Sequence, residues 1–147
     1  MISTRDFSTT LLQTSGDVPS PRYGHRAVLT STILMIWGGG EKNVRDQNKQ
    51  NQAVDNSLYL LNLGTPDLFH VKTRSSLIRV SCVSVSREWT QIVVDGPRPG
   101  GRYYHTMTLV GSKLFVFAGR TANERFNDIW AFDLNYCTFV PHLPEPF

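Results

Sequence analysis

The sequence predicts an all-β protein made of two copies of one four-stranded unit, and three observations predict it. Turn formers are abundant, with 11 Gly and 8 Pro in 147 residues, as in proteins built from many short strands. The apolar residues fall in short runs bounded by turn residues, which suits strands, and no segment carries a helical period. Above all, the chain aligns with itself.

Arg22-Tyr23-Gly24-His25 corresponds to Arg102-Tyr103-Tyr104-His105 at an offset of 80, and Trp37-Gly38-Gly39 to Phe117-Ala118-Gly119 at the same offset. Asn56-Ser57-Leu58-Tyr59 then falls on Asn127-Asp128-Ile129-Trp130 at 71, and Trp89-Thr90 on Phe139-Val140 at 50. Nine extra residues between Gly39 and Asn56, and 21 between Thr65 and Arg87, account for the drift. Without them the repeat is 50 residues long, near the ~50-residue period of one class of propeller repeats.

The elements follow in order. Residues 1–16, with Phe7 to Gln13 as the expected strand, read as the end of a preceding unit. The first copy, 17–95, has strands expected at 27–30, 33–37, 58–61 and 88–93. The second copy, 96–147, has them at 104–110, 113–117, 127–134 and 137–143, with Gly111-Ser112 as the first turn. The run 113–117 is almost wholly apolar, as a strand buried on both faces requires. Residues 66–86, with five Ser and no Gly, interrupt the turn between strands three and four of the first copy and have no counterpart in the second. Their 21 residues equal 63 in-frame nucleotides, so a translated intron is the favoured reading, beside a surface excursion or an extra edge strand.

The Arg-x-x-His opening, the glycine pair closing strand two, the aromatic of strand three and the late Trp or Phe together resemble the kelch repeat. The stretch GPRPGGRYYHTMTLVGSKLFVFAGRTANERFNDIWAFDLN is similar to fungal multi-kelch proteins of the cell-end polarity type. The resemblance implies four-stranded blades of a β-propeller. Propellers close with four to eight blades, so two blades leave the ring incomplete, the missing ones coming from the rest of a longer chain or from another copy. It also implies a non-catalytic scaffold that binds other proteins through its face loops, with a role in cell polarity or small-GTPase signalling.

Within that frame each motif residue has a structural expectation. Gly38 and Gly39 close a buried strand where a side chain would obstruct packing. Gly119 repeats this, while Ala118 in place of the first glycine implies a slightly different backbone. Arg22 with His25, and Arg102 with His105, recur once per repeat and so satisfy the same backbone groups in each blade. Tyr59, Trp89, Trp130 and Phe139 fill the wedge between blades. The loop 40–55, with Lys42, Arg45 and Asp46, and its shorter counterpart 120–126, with Arg120, Glu124 and Arg125, are the candidate partner surface or else solvated spacers.

Other functions find little purchase in the sequence. The net charge is +3, of which Lys72, Arg74 and Arg79 against Asp67 supply +2 within 66–86 alone. That leaves no basic patch for nucleic acid. No run approaches the roughly 20 apolar residues that span a bilayer, and the first twenty residues carry no signal-peptide core. A cytoplasmic or nuclear setting is expected, and cytoplasmic is preferred. Cys82 and Cys137 have neither a disulfide framework nor metal-site spacing and read as free thiols. No catalytic, cofactor or metal residues are assigned: there is no Ser-His-Asp set and no paired-carboxylate site. The alternative is a fragment of a galactose-oxidase-like copper enzyme, which shares the superfamily fold. His25, His105, Tyr23 and Tyr103, its candidate ligands, already have places in the repeat.

Overall fold

Two-residue alternation organises the molecule, because it gives each strand one face for each neighbouring sheet. The computed structural model describes residues 8–30, 32–41, 54–63, 69–73, 76–80, 87–92, 94, 96–136 and 138–142, all as strand, turn or loop. The strands of the first half are β1 (Ser15–Gly16), β2 (Arg22–Tyr23), β3 (Arg26–Leu29), β4 (Ile33–Trp37), β5 (Gly40–Glu41) and β6 (Leu58–Asn62). Next come β7 (Phe69–Thr73), β8 (Ser76–Val80) and β9 (Glu88–Ile92). The second half holds β10 (Thr106–Val110), β11 (Lys113–Phe117), β12 (Ile129–Asp133) and β13 (Thr138–His142).

Two antiparallel meanders result, β3-β4-β6-β9 and β10-β11-β12-β13. Their registers reproduce the internal alignment. Trp37 pairs with Leu58 and Leu61 with Trp89, just as Phe117 pairs with Ile129 and Phe132 with Phe139. These are two blades of a propeller. The two blades meet through opposite faces of equivalent strands. The first blade presents Ile33, Met35, Trp37, Leu58 and Ile92; the second answers with Leu114, Val116, Phe132 and Phe139, and the core lies between the two. Trp37 is fully enclosed and meets the His105 ring edge-on at 4.9 Å between centroids. Enclosing one such aromatic is worth several kcal/mol, about 3–5 by truncation to alanine.

Three expectations change. Ser15–Gly16 does not end a preceding blade but runs parallel to β9 on the first blade's own outer edge, where the Asp17 N–H donates to the Trp89 carbonyl at 2.9 Å. Of the segment 7–13 expected as that strand, residues 8–13 form no strand beyond an isolated bridge at Thr9, and Phe7 lies outside the described residues. Tyr104 does not open a strand. Its φ of 59° is left-handed, and β10 starts at Thr106. Within 66–86, β7 and β8 pair with each other, Val71 opposite Ile78, as a two-stranded sheet of their own among the described residues.

Candidate functional site

Each blade is bolted at its entrance by an arginine. Arg102, 1% exposed, donates from Nε to the Gly100 carbonyl and from Nη1 to the Ala118 carbonyl, both at 3.1 Å. Both terminal nitrogens also bond Asp128, and the guanidinium lies 3.9 Å over the Phe126 ring. Arg22 repeats this: Nε to the Ser20 carbonyl, Nη1 to the Gly38 carbonyl and Nη2 to Asp55, each at 3.1 Å, with Tyr59 at 4.9 Å. A planar five-donor fork suits this work, since it ties two chain segments and a carboxylate at once. Burial opposes ionisation of Asp55, but hydrogen bonds from Ser57, Tyr59 and Arg22 outweigh it and hold the carboxyl below its usual range. Asp128 is likewise held low against burial by Arg102 and by the Trp130 indole, which donates at 2.8 Å.

Ser20, Asp55, Gly100, Phe126 and Asp128 were not among the residues singled out by the sequence. The acids escape the alignment because they are not equivalent: Asp128 aligns with Ser57, and Phe126 with Asp55. The carboxylate and the ring that meet the arginine therefore come from different positions in the two blades. An Asp within two residues of each repeated Asn was the available signal.

The histidines behave differently from expectation. His105 is completely buried, yet neither ring nitrogen has a hydrogen-bond partner among the described residues, and the same is true of the His25 Nδ1. His105 acts as a packed ring. Burial, reinforced by the charges of Arg26 and Arg102, lowers its pKa to about 4. The expected change of backbone at Ala118 is also absent: its φ of 57° matches the 70° of Gly38.

Where the blades meet on the loop side, three tyrosines gather. Tyr23 lies 5.6 Å from Tyr103 and 6.4 Å from Tyr104, and Tyr103 and Tyr104 stand edge-on at 5.2 Å. Arg120 sits 5.7 Å from both Tyr103 and Tyr104. Backbone bonds fix the cluster: Tyr103 and Arg120 exchange N–H···O bonds at 2.9 and 3.0 Å, and the Tyr104 N–H donates to Gly24 across the seam at 2.8 Å. Burial, then the neighbouring Tyr103 and Tyr104, raise the Tyr23 pKa. Tyr104 is 55% exposed although its backbone is left-handed, the conformation its counterpart Gly24 adopts freely with φ 66°. Residues 120–125, including Glu124 and Arg125, line an open hollow of about 410 Å³ beside it. Lys42, Arg45 and Asp46 lie outside the described residues.

The remaining expected residues divide between the two faces. Phe139 is buried between the blades, 6.3 Å from Trp37, with Trp130 edge-on at 6.4 Å. Tyr59 instead stacks on Arg22 of its own blade, and Trp89 pairs with Leu61, whose side of the sheet faces away from the second blade. Gly39 and Gly119 close β4 and β11, with φ of 96° and 103°.

Compared with known proteins, residues 1–143 match the KLHDC2/KLHL20/DRC7 Kelch-repeats domain. The chain belongs to the kelch-repeat family. Among kelch relatives, Tip elongation aberrant protein 1 of Schizosaccharomyces pombe is 37% identical over 86% of this chain and 9% of its own length. The Rab9 effector protein with kelch motifs of Xenopus laevis is 29% identical over 78% of this chain and 24% of its own. N-(sulfonatooxy)prop-2-enimidothioate sulfolyase of Thlaspi arvense is 26% identical over 82% and 27%. The kelch unit described here thus spans from about a tenth to about a quarter of these relatives. No helix among its described residues is long and apolar enough to cross a membrane. Nor do its described residues gather three or more His, Cys, Asp or Glu in a metal-holding group. The copper-enzyme alternative gains no support from this kelch unit: His105 is sealed between blades, and Tyr23 and Tyr103 belong to the loop-side cluster.

Proposed function

We propose that the chain is a non-catalytic protein-interaction unit whose contact surface is the loop-side cluster of Tyr23, Tyr103, Tyr104 and Arg120. The observation that carries this is Tyr104. A bulky residue in the left-handed region costs about 1–2 kcal/mol, and such outliers persist where function holds them. Here an exposed phenol is held beside an arginine with no carboxylate partner among the described residues. Tyr and Arg are the side chains that dominate contact energies between proteins. Arg125 and Glu124 extend the same loop, and Lys42, Arg45 and Asp46 on the longer loop of the first blade belong to the same proposed surface.

The far face of the second blade takes a further blade, from a longer chain or from another copy, which completes more of the ring. One relative named for tip elongation and another named as a Rab9 effector support a setting in cell polarity or small-GTPase signalling, in the cytoplasm. The experiment is affinity capture from extracts with the wild type and with Tyr104→Gly combined with Arg120→Ala. Tyr104→Gly installs the residue that the first blade already uses, so folding is retained. The double variant is expected to melt at or above the wild-type temperature and lose the specifically captured proteins. An unchanged set of captured proteins would move the contact surface elsewhere.

A further inference from the structure

Two arginines are held side by side in the loop after β11. The Phe126 N–H donates to the Gly119 carbonyl at 2.9 Å, and the Thr121 N–H to the Glu124 carbonyl at 2.8 Å. Between these two bonds Arg120 and Arg125 face each other in an antiparallel bridge. A pair in that position makes no backbone bonds of its own and brings its side chains closest, with about 4.5 Å between Cα atoms. Like charges placed directly opposite destabilise a strand pair. Among the described residues no carboxylate offsets the cost: neither guanidinium is salt-bridged, and Glu124 of the same loop joins no ion pair. The fold itself does not need the pair. At the matching bridge of the first blade Gly40 stands opposite Val54.

The surroundings suit an anion that touches both arginines. Residues 120–125 line the open hollow of about 410 Å³, and Arg120 and Arg125 are both exposed. Arg120 is anchored on its other side by the two backbone bonds it exchanges with Tyr103, and its guanidinium lies 5.7 Å from the centres of the Tyr103 and Tyr104 rings. An arginine meets an aromatic surface with the face of its guanidinium and an oxyanion with its N–H edge. One carboxylate would neutralise only one of the two charges. A phosphate monoester carries about −1.5 to −2 charges near pH 7 and three strong acceptor oxygens, enough for two guanidinium forks at once.

We propose that Arg120 and Arg125 bind a phosphorylated side chain of the partner protein, one phosphate spanning both guanidiniums while neighbouring partner residues rest on Tyr104. The inference rests on the reading that the loop-side cluster is the contact surface. It makes that contact conditional, because the partner is held after phosphorylation and released when the phosphate is removed.

Fluorescence anisotropy with the full 147-residue chain tests this. The probes are fluorescein-labelled degenerate peptide mixtures whose central residue is fixed as phosphoserine, phosphotyrosine or glutamate. The better phosphorylated mixture is expected to bind at least about tenfold more tightly than the glutamate mixture, the scale of one charge-assisted hydrogen bond. Arg125→Ala should lose about tenfold or more of that affinity, and Arg125→Lys, which keeps the charge without the fork, should retain only part of it. Three results overturn the proposal. Phosphorylated mixtures that bind no better than the glutamate mixture leave no phosphate site. An Arg125→Ala chain that binds them as the wild type does removes the arginine pair from recognition. Inorganic phosphate that competes as well as the phosphorylated peptides makes this a site for the free ion. The contact-surface reading is judged apart from these. Proteins lost from capture by Tyr104→Gly with Arg120→Ala, yet still captured by the wild type after phosphatase treatment of the extract, would uphold that reading and overturn this one.

Discussion

His105 shows how much one side chain can carry when it is sealed in without partners. A buried imidazole without hydrogen-bond partners costs stability even when neutral and much more when charged, and a pKa of about 4 keeps it neutral near pH 7. In the unfolded chain the same imidazole titrates near 6.5. Falling pH therefore protonates the unfolded state first, and stability that is full above pH 6.5 is lost progressively down to about pH 4. The gap corresponds to about 3 kcal/mol at the acid end. His25, whose pKa burial also lowers, adds in the same direction. Denaturant titrations at pH 7.5 and pH 4.5 should show this loss in the wild type and a smaller one in His105→Phe, which keeps a flat ring against Trp37. Equal losses in the two proteins would mean that His105 is solvated.

At the level of elements, the strands were legible because their alternation survives in both copies, and the pairing registers Trp37 to Leu58 and Phe117 to Ile129 restate the alignment. The arginine bolts were half legible. Arg22 and Arg102 recur in step, but Asp55 and Asp128 do not, since the carboxylate reaches the guanidinium from a different position in each blade. The left-handed backbone at Tyr104 was hidden by reading the residue as the start of a strand, although Gly24 at the matching position marks it. The excursion 66–86 was legible as foreign to the repeat, and its hairpin β7-β8 is a sheet of its own beside the blades. We propose that the blades do not need it, as expected of translated intron sequence. Deleting 66–86 joins Thr65 to Arg87 between β6 and β9. Shortening this connection lowers the loop-closure cost by roughly 1.6 kcal/mol, so the melting temperature should hold or rise modestly. Soluble yield should rise as the β-prone run 78–85 is removed. A deletion variant that fails to fold would show that the hairpin packs as a native part of the first blade.

On the scale of the whole molecule, the two blades stack face to back, each spending one sheet face on its neighbour, with Trp37, His105 and Phe139 at the centre of the contact. Function, on this account, sits at the rim of the same seam, where Tyr104 and Arg120 emerge on the loop side. Everything therefore depends on the seam being formed in solution. Residue-resolved amide hydrogen exchange reads it through two matched glycines, Gly39 bonded across the seam to Arg102 and Gly119 without such a partner. Both lie at the ends of equivalent strands, so local strand stability cancels between them. The Gly39 amide is expected to exchange at least about tenfold more slowly than that of Gly119, the scale of one hydrogen bond. Equal rates at the two positions, in a chain that is otherwise folded, would contradict the packing of the blades.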